Sequence, residues 1–225
     1  GMNFIGRETE LNSLSQGISP TGTMRSAFIS GEVGIGKSAL VGELGNKLLG
    51  QDSSILWLCP RNPDDLSPAG WVSQLARDLQ AGSALSQDPI NAFAQVIGRE
   101  LAVLPHTIDS ALAIASDGMF SKVADVLIMA LEKLMESSDA NTFSPIFVFE
   151  DVDGYNPRLL SWIETDLNAA LRKSEHFKKA RFLFTGQKAR SELEPFFQKF
   201  GIEQIHDFLI SGLSSNQSLE LFKGH

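Results

Sequence analysis

The ten residues GEVGIGKSAL, 31–40, combine glycines with a lysine and a serine at a spacing that suits phosphate binding. Gly31, Gly36, Lys37 and Ser38 match the pattern G-x-x-x-x-G-K-[ST]. In such a loop glycines let successive backbone N–H groups point inward, the lysine reaches the terminal phosphates and the hydroxyl can ligate Mg²⁺. A chance match in a chain of this length has odds of about one in a hundred, given ordinary glycine usage.

We therefore predict a phosphate-binding loop, with a flexible turn as the alternative. An apolar, strand-like run precedes the loop and a helical pattern follows it, and this helix would add the partial positive charge of its N-terminus. The whole segment is expected to contact the nucleotide: Gly31, Glu32, Val33, Gly34, Ile35, Gly36, Lys37, Ser38 and Ala39.

Carboxylates follow the apolar run PIFVF, residues 145–149, as Glu150, Asp151 and Asp153. Near a phosphate loop, one such carboxylate can hold Mg²⁺ and another can polarise an attacking water. By position we assign Glu150 to Mg²⁺ and Asp151 to the water, with an exchange of the two roles left open. An acidic surface turn is the alternative. The predicted metal ligands are Ser38, Glu150 and Asp151, and the predicted catalytic groups are Asp151, Glu150 and Lys37.

Short apolar runs alternate with longer helical patterns, which favours an α/β fold with a parallel sheet. The predicted strands cover residues 25–30, 54–59, 145–149, 181–185 and 205–210. A helix is predicted over Lys37–Leu49, with Gly50 as its stop. Between the second and third strands, helical spacing of apolar residues and a proline after both Ser67 and Asp88 predict a helical insert, at about residues 61–137.

Composition and charge narrow the class of protein. The chain has 225 residues, of which 43% are hydrophobic, enough for one large domain. Its formal net charge of -8 argues against a general polyanion-binding surface. The single cysteine, Cys59, suits a reducing compartment and a buried thiol. Without a signal peptide or an apolar stretch of about 20 residues, we expect a cytoplasmic protein with no membrane partner.

Three segments together resemble the STAND NTPases, which are signal-transduction ATPases related to the AAA+ class. FIGRETEL, residues 4–11, is similar to the N-terminal motif F-[VI]-G-R-E-x-E-L of that family. FVFEDVDGYNP, residues 147–157, resembles its acidic motif, in which the order Glu-Asp also occurs. FLISGLSSNQSLELF, residues 208–222, resembles the segment that leads from the last core strand to a helical lid.

The resemblance implies a three-layer P-loop NTPase fold of the AAA+/STAND type. Its sheet would hold five parallel strands in the order 5-1-4-3-2, with the helical insert between strands 2 and 3. Residues 1–213 would form the ATPase core and residues 214–225 the start of a truncated lid. In this family the N-terminal motif lies against the adenine and ribose, a role implied here for Phe4, Ile5, Gly6 and Arg7.

The end of the fourth strand departs from the family pattern. Relatives often have a polar sensor and an arginine there, whereas this sequence has Thr185, then Gln187 and, farther on, Arg190. Thr185 is the expected nucleotide contact, and no arginine finger can be assigned. Basic residues between Arg172 and Arg181 are expected as a solvated face at the opposite edge, since they precede or open the fourth strand.

The implied function is a nucleotide-dependent regulatory switch within a larger signal-transduction protein, binding ATP or ADP with Mg²⁺ and hydrolysing ATP slowly. Its expected partners are the nucleotide, C-terminal domains of the same protein and a nucleotide-dependent homo-oligomer; nucleic acid is not expected. Two alternatives stay open. One is an AAA+ ATPase that loads or remodels DNA, as in origin-recognition-type relatives, and the other is a nucleotide-binding scaffold without turnover.

Overall fold

The computed structural model describes residues 3–4, 8–32, 34–61, 67–82, 87–102, 117–137, 143–202 and 204–210. Within these ranges the strands are β1 Asn3–Phe4, β2 Ser26–Ser30, β3 Ile55–Leu58, β4 Ser144–Phe149, β5 Arg181–Gly186 and β6 His206–Leu209. The helices are α1 Glu8–Ile18, α2 Lys37–Gln51, α3 Pro68–Gly82, α4 Gln87–Ala102, α5 Asp117–Ser137, α6 Pro157–Ser161, α7 Asn168–Lys173 and α8 Glu194–Phe200. Short 3₁₀ turns cover Val152–Gly154 and Arg190–Leu193, and a π-helical turn covers Trp162–Leu167.

The strands form one sheet in the order β1-β6-β2-β5-β4-β3, in which every pair is parallel. Numbered as the five predicted strands, this order is 5-1-4-3-2, so the predicted topology is confirmed. The short β1 adds an unpredicted strand at the edge beside β6. All strands end on the same side of the sheet, which we call the carboxyl edge, and begin on the other, the amino edge.

Helices cover both faces of the sheet, which makes three layers. Every residue of β2 is buried. Its alternate side chains point to opposite faces, as they must in a strand. Ala27 and Ile29 pack into a cluster with α1 and α2. Phe28 packs instead against the cluster formed by α3–α8. Burial on both faces explains why the central strands are continuously apolar rather than alternating.

The predicted helical insert between the second and third predicted strands is present as α3, α4 and α5. Ser67 caps α3: its hydroxyl accepts a hydrogen bond from the Gly70 N–H at 3.0 Å. α4 begins at Gln87, one residue before Asp88, so Asp88 lies inside the first turn instead of capping it. A proline at residue 89 is still tolerated there, because N–H groups of a first turn have no helical partner.

The predicted end of α2 at Gly50 is wrong, since the helix continues to Gln51. Asp52 ends it. The backbone N–H of Asp52 donates to Leu48 O, and its carboxylate accepts bonds from the Ser54 N–H at 2.9 Å and the Ser54 hydroxyl at 2.6 Å. These local bonds compete with further helix and turn the chain into β3.

Arg181 departs from the expected solvated basic face, whose other members are exposed as predicted: Arg172, Lys173, Lys178 and Lys179. The guanidinium of Arg181 donates to the carbonyls of Gly17, Pro20, Gly22 and Met24, in and after the last turn of α1. Burial and the nearby Arg25 lower the pKa of Arg181. The group is therefore a structural tie between β5 and the chain that leads into β2.

A π-helical turn, Trp162–Leu167, joins α6 to α7. The Asn168 N–H donates to Ile163 O, the five-residue spacing of a π-helix, and the Asn168 side-chain amide donates to Glu164 O at 3.3 Å. Trp162 is held on the insert by a 2.8 Å bond from its indole N–H to Phe120 O.

Among the described helices, none combines the length and apolarity required to span a membrane.

Trp71 joins the insert to the sheet, and its removal tests this packing. The fully buried ring of Trp71 stacks on Phe149 with centroids 5.4 Å apart and lies 5.7 Å from the ring of Trp162. Trp71→Ala should lower the free energy of unfolding by about 3–5 kcal/mol, because it leaves a cavity between layers. Urea denaturation measures this loss, with the exposed Met129→Ala as a control that should change stability by less than about 0.5 kcal/mol. Equal losses in the two variants would contradict the packing assigned to Trp71.

Candidate functional site

The glycine-rich segment connects β2 to α2 at the carboxyl edge. Gly34 and Gly36 have φ angles of 78° and 99°, in the left-handed region that favours glycine. The loop is anchored at its start by a 3.0 Å bond from the Gly31 N–H to Gly186 O at the end of β5. The Ile35 N–H donates to Glu32 O at 3.3 Å, which closes a turn before α2 begins. The glycine pattern thus shapes a loop that wraps the N-terminus of a 15-residue helix.

Lys37 is the first residue of α2, and its side chain is only 7% exposed. The ammonium lies inside the loop, donating to Gly31 O at 2.5 Å and to Glu32 O at 3.0 Å. Its Nζ atom is also 3.9 Å from Oδ1 of Asp151. A buried charge needs such partners, because leaving water unpaired would be costly. The lysine therefore joins the loop to the acidic segment.

Asp151 has a backbone conformation that is rare for a residue with a side chain, with φ 52° and ψ 50°. Its N–H donates to the hydroxyl of Thr185 at 2.9 Å, and this bond supports the left-handed geometry. The side chain remains 51% exposed beside Lys37. The buried Thr185 thus contacts the backbone of Asp151, while its predicted contact with a nucleotide stays a prediction.

Asp153 binds the loop that follows β5. Its Oδ2 atom accepts bonds from the N–H groups of Gln187 and Lys188, both at 2.9 Å. Its Oδ1 atom is buried and has no hydrogen-bond partner within the described part of the chain. Asp153 consequently joins the turn after β4 to the loop after β5, a role that the sequence did not reveal.

Glu150 lies between three groups that each affect its charge. Its Oε1 atom is 3.3 Å from a guanidinium nitrogen of Arg61, and its Oε2 atom accepts a 3.8 Å bond from the Cys59 thiol. Burial raises the pKa of Glu150, the Arg61 cation opposes that rise, and a hydrogen bond with Ser38 also lowers the pKa. Burial likewise raises the pKa of the predicted buried thiol, Cys59. Burial and the Arg61 cation therefore act in opposite directions on the pKa of Glu150.

Arg61 is the site residue that the sequence reasoning missed. In addition to its ion pair with Glu150, the guanidinium of Arg61 donates a hydrogen bond to Ser38 O at 2.8 Å. The backbone N–H of Arg61 donates to the carboxylate of Asp78, in α3, at 2.6 Å. A signal was present, because a charged residue soon after an apolar strand lies at the carboxyl edge. The strand order was also needed, since β3 becomes the neighbour of β4 only in the assembled sheet.

The side chain of Arg190 is engaged by groups of the same chain. Its guanidinium donates to Ile205 O at 3.2 Å and forms ion pairs with Asp207 at 3.5 Å and Glu194 at 3.8 Å. Burial raises the pKa of Asp207, and the charge of Arg190 opposes that rise. Arg190 thereby ties the segment after β5 to β6.

Part of the predicted site lies outside the described residues. This holds for Ile5, Gly6, Arg7, Val33, the side chain of Phe4 and the predicted lid at 214–225. The backbone of Phe4 pairs with Leu209 at the sheet edge. The domain boundaries likewise stay predictions.

The predicted metal ligands fit a magnesium ion that shares its shell with phosphates and waters. Mg²⁺ prefers oxygen ligands and commonly takes only one or two from the protein. Ser38 and Glu150 lie within hydrogen-bonding reach of each other and offer such oxygens. In the described part of the chain, no group of three or more His, Cys, Asp or Glu side chains could hold a metal ion.

Similarity to known proteins identifies the family of this chain. A family model described as "AAA ATPase domain" matches residues 3–173. No curated protein matches the chain. Among solved structures, the Pif1 helicase from Candida albicans superposes with a TM-score of 0.46 and 13% sequence identity, covering 100% of this chain and 43% of the helicase. The chain thus spans less than half the length of that structure.

The family match covers most of the chain, including the phosphate loop, the acidic segment and the first four strands. The chain belongs to the AAA ATPase domain family and is a nucleotide-binding, P-loop ATPase module.

Proposed function

We propose that this module is a STAND-type switch that binds ATP and Mg²⁺, hydrolyses ATP slowly and reports the bound nucleotide to further domains of a larger signal-transduction protein. The observation that carries this proposal is the 3.9 Å approach of Lys37 Nζ to Asp151 Oδ1. This contact links the phosphate loop directly to the acidic segment. A bound phosphate that attracts the Lys37 ammonium therefore changes the electrostatic surroundings of Asp151.

The predicted residues of the phosphate loop, the acidic segment and the N-terminal motif each have a place in the proposed chemistry. Loop N–H groups and the N-terminus of α2 bind the phosphates, and Lys37 stabilises the charge that develops during transfer. Mg²⁺ would be held by Ser38 and Glu150 and would neutralise phosphate charge. Asp151, half exposed and next to Lys37, orients the attacking water. Phe4–Arg7 are proposed to lie against the adenine and ribose.

Contacts beyond Asp151 favour a switch. Thr185 binds the Asp151 N–H, and Asp153 binds the N–H groups of residues 187 and 188. Arg190 then ties the following turn to Asp207 in β6. These contacts and the backbone of residues 185–190 connect Asp151 to β6, the strand that leads to residues 211–225. The C-terminal domains and a nucleotide-dependent homo-oligomer are the proposed receivers.

Slow turnover follows from how the charged groups are engaged. Glu150 is paired with Arg61, and Asp151 is close to Lys37, so neither carboxylate is a free base. Arg190 is occupied by Glu194 and Asp207. Hydrolysis therefore needs rearrangement or a cation from another molecule, as expected of a regulated switch.

Lys37→Ala tests nucleotide binding. It removes a charge-assisted contact worth about 1.5–3 kcal/mol, or roughly tenfold or more in affinity for ATP and ADP. Titration calorimetry measures the change. Lys47→Ala, on the same helix, is the matched control and should leave affinity unaltered. Equal affinities for wild type and Lys37→Ala would refute the phosphate assignment.

Asp151→Asn should abolish ATP hydrolysis while leaving nucleotide binding largely intact. Asparagine tolerates the left-handed backbone at this position, so the fold should persist. Phosphate release in the full-length protein is the measurement, with the exposed Glu43→Gln as control. Loss of turnover in Glu150→Gln but not in Asp151→Asn would reverse the two roles. If the wild type shows no turnover, the scaffold interpretation replaces the proposed ATPase.

Arg61→Gln should change the pH dependence of Mg²⁺ use. Burial raises the pKa of Glu150 and the Arg61 cation opposes this, so removing the cation raises the pKa further. Mg²⁺ binds the ionised carboxylate of Glu150. As the pH is lowered, Mg²⁺-dependent ATP binding should therefore be lost at a higher pH in the variant than in the wild type. Calorimetry across pH, with and without Mg²⁺, measures the midpoint. Arg99→Gln, at an exposed ion pair, is the control. An unmoved or lower midpoint contradicts the assigned role.

A further inference from the structure

The second turn of α2 has a glycine where any side chain would meet the candidate site. A Cβ atom built on Gly42 would lie 2.6 Å from Nη2 of Arg61, closer than Cβ atoms approach other groups in folded proteins. Glycine also destabilises a helix interior relative to alanine. The missing side chain at Gly42 therefore leaves the space that the guanidinium of Arg61 occupies.

The guanidinium of Arg61 lies between α2 and the acidic segment. It donates at 2.8 Å to Ser38 O, one helical turn before Gly42, and forms the 3.3 Å ion pair with Glu150. Ser38 and Glu150 are the residues proposed to hold Mg²⁺, so one guanidinium contacts both. The Arg61 side chain is only 34% exposed, which shows that most of it is held against the protein.

The backbone of Arg61 is fixed from the other side by the helical insert. Its N–H donates at 2.6 Å to one carboxylate oxygen of Asp78 in α3. The other oxygen of Asp78 accepts a 2.9 Å bond from the side-chain amide of Gln74, one turn earlier in the same helix. Asp78 thus anchors the chain just after β3 ends and determines where the Arg61 side chain begins.

The ion pair with Arg61 leaves the carboxylate of Glu150 able to accept further contacts. An ionised carboxylate has about four acceptor sites. Arg61 takes one on Oε1 of Glu150, and the Cys59 thiol approaches Oε2 at 3.8 Å. Groups that hydrogen-bond a metal-binding carboxylate orient it, and their loss typically weakens metal binding about 10–100-fold. Arg61 can therefore orient Glu150 without occupying all of its oxygens.

We propose that Gly42 and Asp78 are positioning residues for the magnesium site, which act through Arg61 on the carboxylate of Glu150. Gly42 leaves room for the guanidinium on α2, and Asp78 fixes the backbone from which the Arg61 side chain extends. This inference rests on the proposed role of Glu150 as a magnesium ligand. It makes the helical insert part of that site, because α3 supplies Asp78 although it contributes none of the predicted ligands.

Gly42→Ala tests the inference, because the added methyl group displaces the guanidinium without removing any polar group. The measured quantity is the gain in ATP affinity that Mg²⁺ provides over EDTA, from calorimetry at about pH 8, where carboxylates are ionised. This gain should fall about tenfold or more in the variant. ATP affinity in EDTA should stay unchanged. Gly50→Ala, on the same helix, is the matched control, since its Cβ would have no neighbour within 4 Å.

A double-mutant cycle shows whether Gly42 acts through Arg61. In an Arg61→Ala background, Gly42→Ala should cause no further loss of the Mg²⁺-dependent gain. The urea midpoint, measured without nucleotide or metal, should rise more on Gly42→Ala in that background than in the wild type, because alanine favours an unobstructed helix. Asp78→Ala should reduce the gain as Gly42→Ala does, whereas Asp78→Asn, which keeps an acceptor oxygen, should retain most of it.

The outcomes separate this inference from the proposed function. If Glu150→Gln leaves the Mg²⁺-dependent gain unchanged, Glu150 is not the ligand and both are refuted. If Glu150→Gln loses the gain while Gly42→Ala and Asp78→Ala keep it, only the inference is overturned. Additive losses from Gly42→Ala and Arg61→Ala would also overturn it, as would a larger gain in either variant, since Arg61 would then compete with Mg²⁺. If Gly42→Ala does not fold, the two Asp78 variants decide.

Discussion

The common direction of the central strands is the constraint on which this domain depends. β2, β4 and β5 are neighbours, run parallel and are buried, so the chain leaves all three at one edge. Bonds between the segments that follow them then form the site: Gly31 N–H to Gly186 O, and Asp151 N–H to Thr185. The phosphate loop and the acidic segment are therefore positioned by a rigid sheet rather than by flexible loops.

Arginine side chains connect segments that lie far apart in sequence. Arg61 joins α2 and Glu150 to the end of β3, Arg181 joins β5 to the loop after α1, and Arg190 joins the segment after β5 to β6. The fixed fork of donors suits this use, since one guanidinium can satisfy several carbonyls or carboxylates at once. The guanidinium groups of these three arginines are thereby engaged in contacts within the protein, whose formal net charge is -8.

The two edges of the sheet differ chemically. The carboxyl edge presents carboxylates around a loop of N–H groups, which suits a metal-bound phosphate chain. The amino edge carries instead the exposed cationic side chains of Arg25 and Arg172. α8 connects them, because Glu194 at its start pairs with Arg190, and Phe200 at its end bonds to Arg172. One short helix thus connects the two edges of the sheet.

The sequence alone determined the strand-loop-helix unit around Lys37, the acidic residues after β4, the helical insert and, through the family resemblance, the strand order. The first three of these features depend on glycine conformation, apolar runs and local spacing, all of which act over a few residues, whereas the strand order was implied only by the resemblance. Tertiary structure decided the partners of the charged groups. Arg61 meets Glu150 across 89 residues, and Asp151 meets Thr185 across 34. Such contacts depend on which strands become neighbours and in what register. The burial of the whole core decides which strands become neighbours. No local pattern could therefore reveal that Asp153 and Arg190 connect distant segments of the chain.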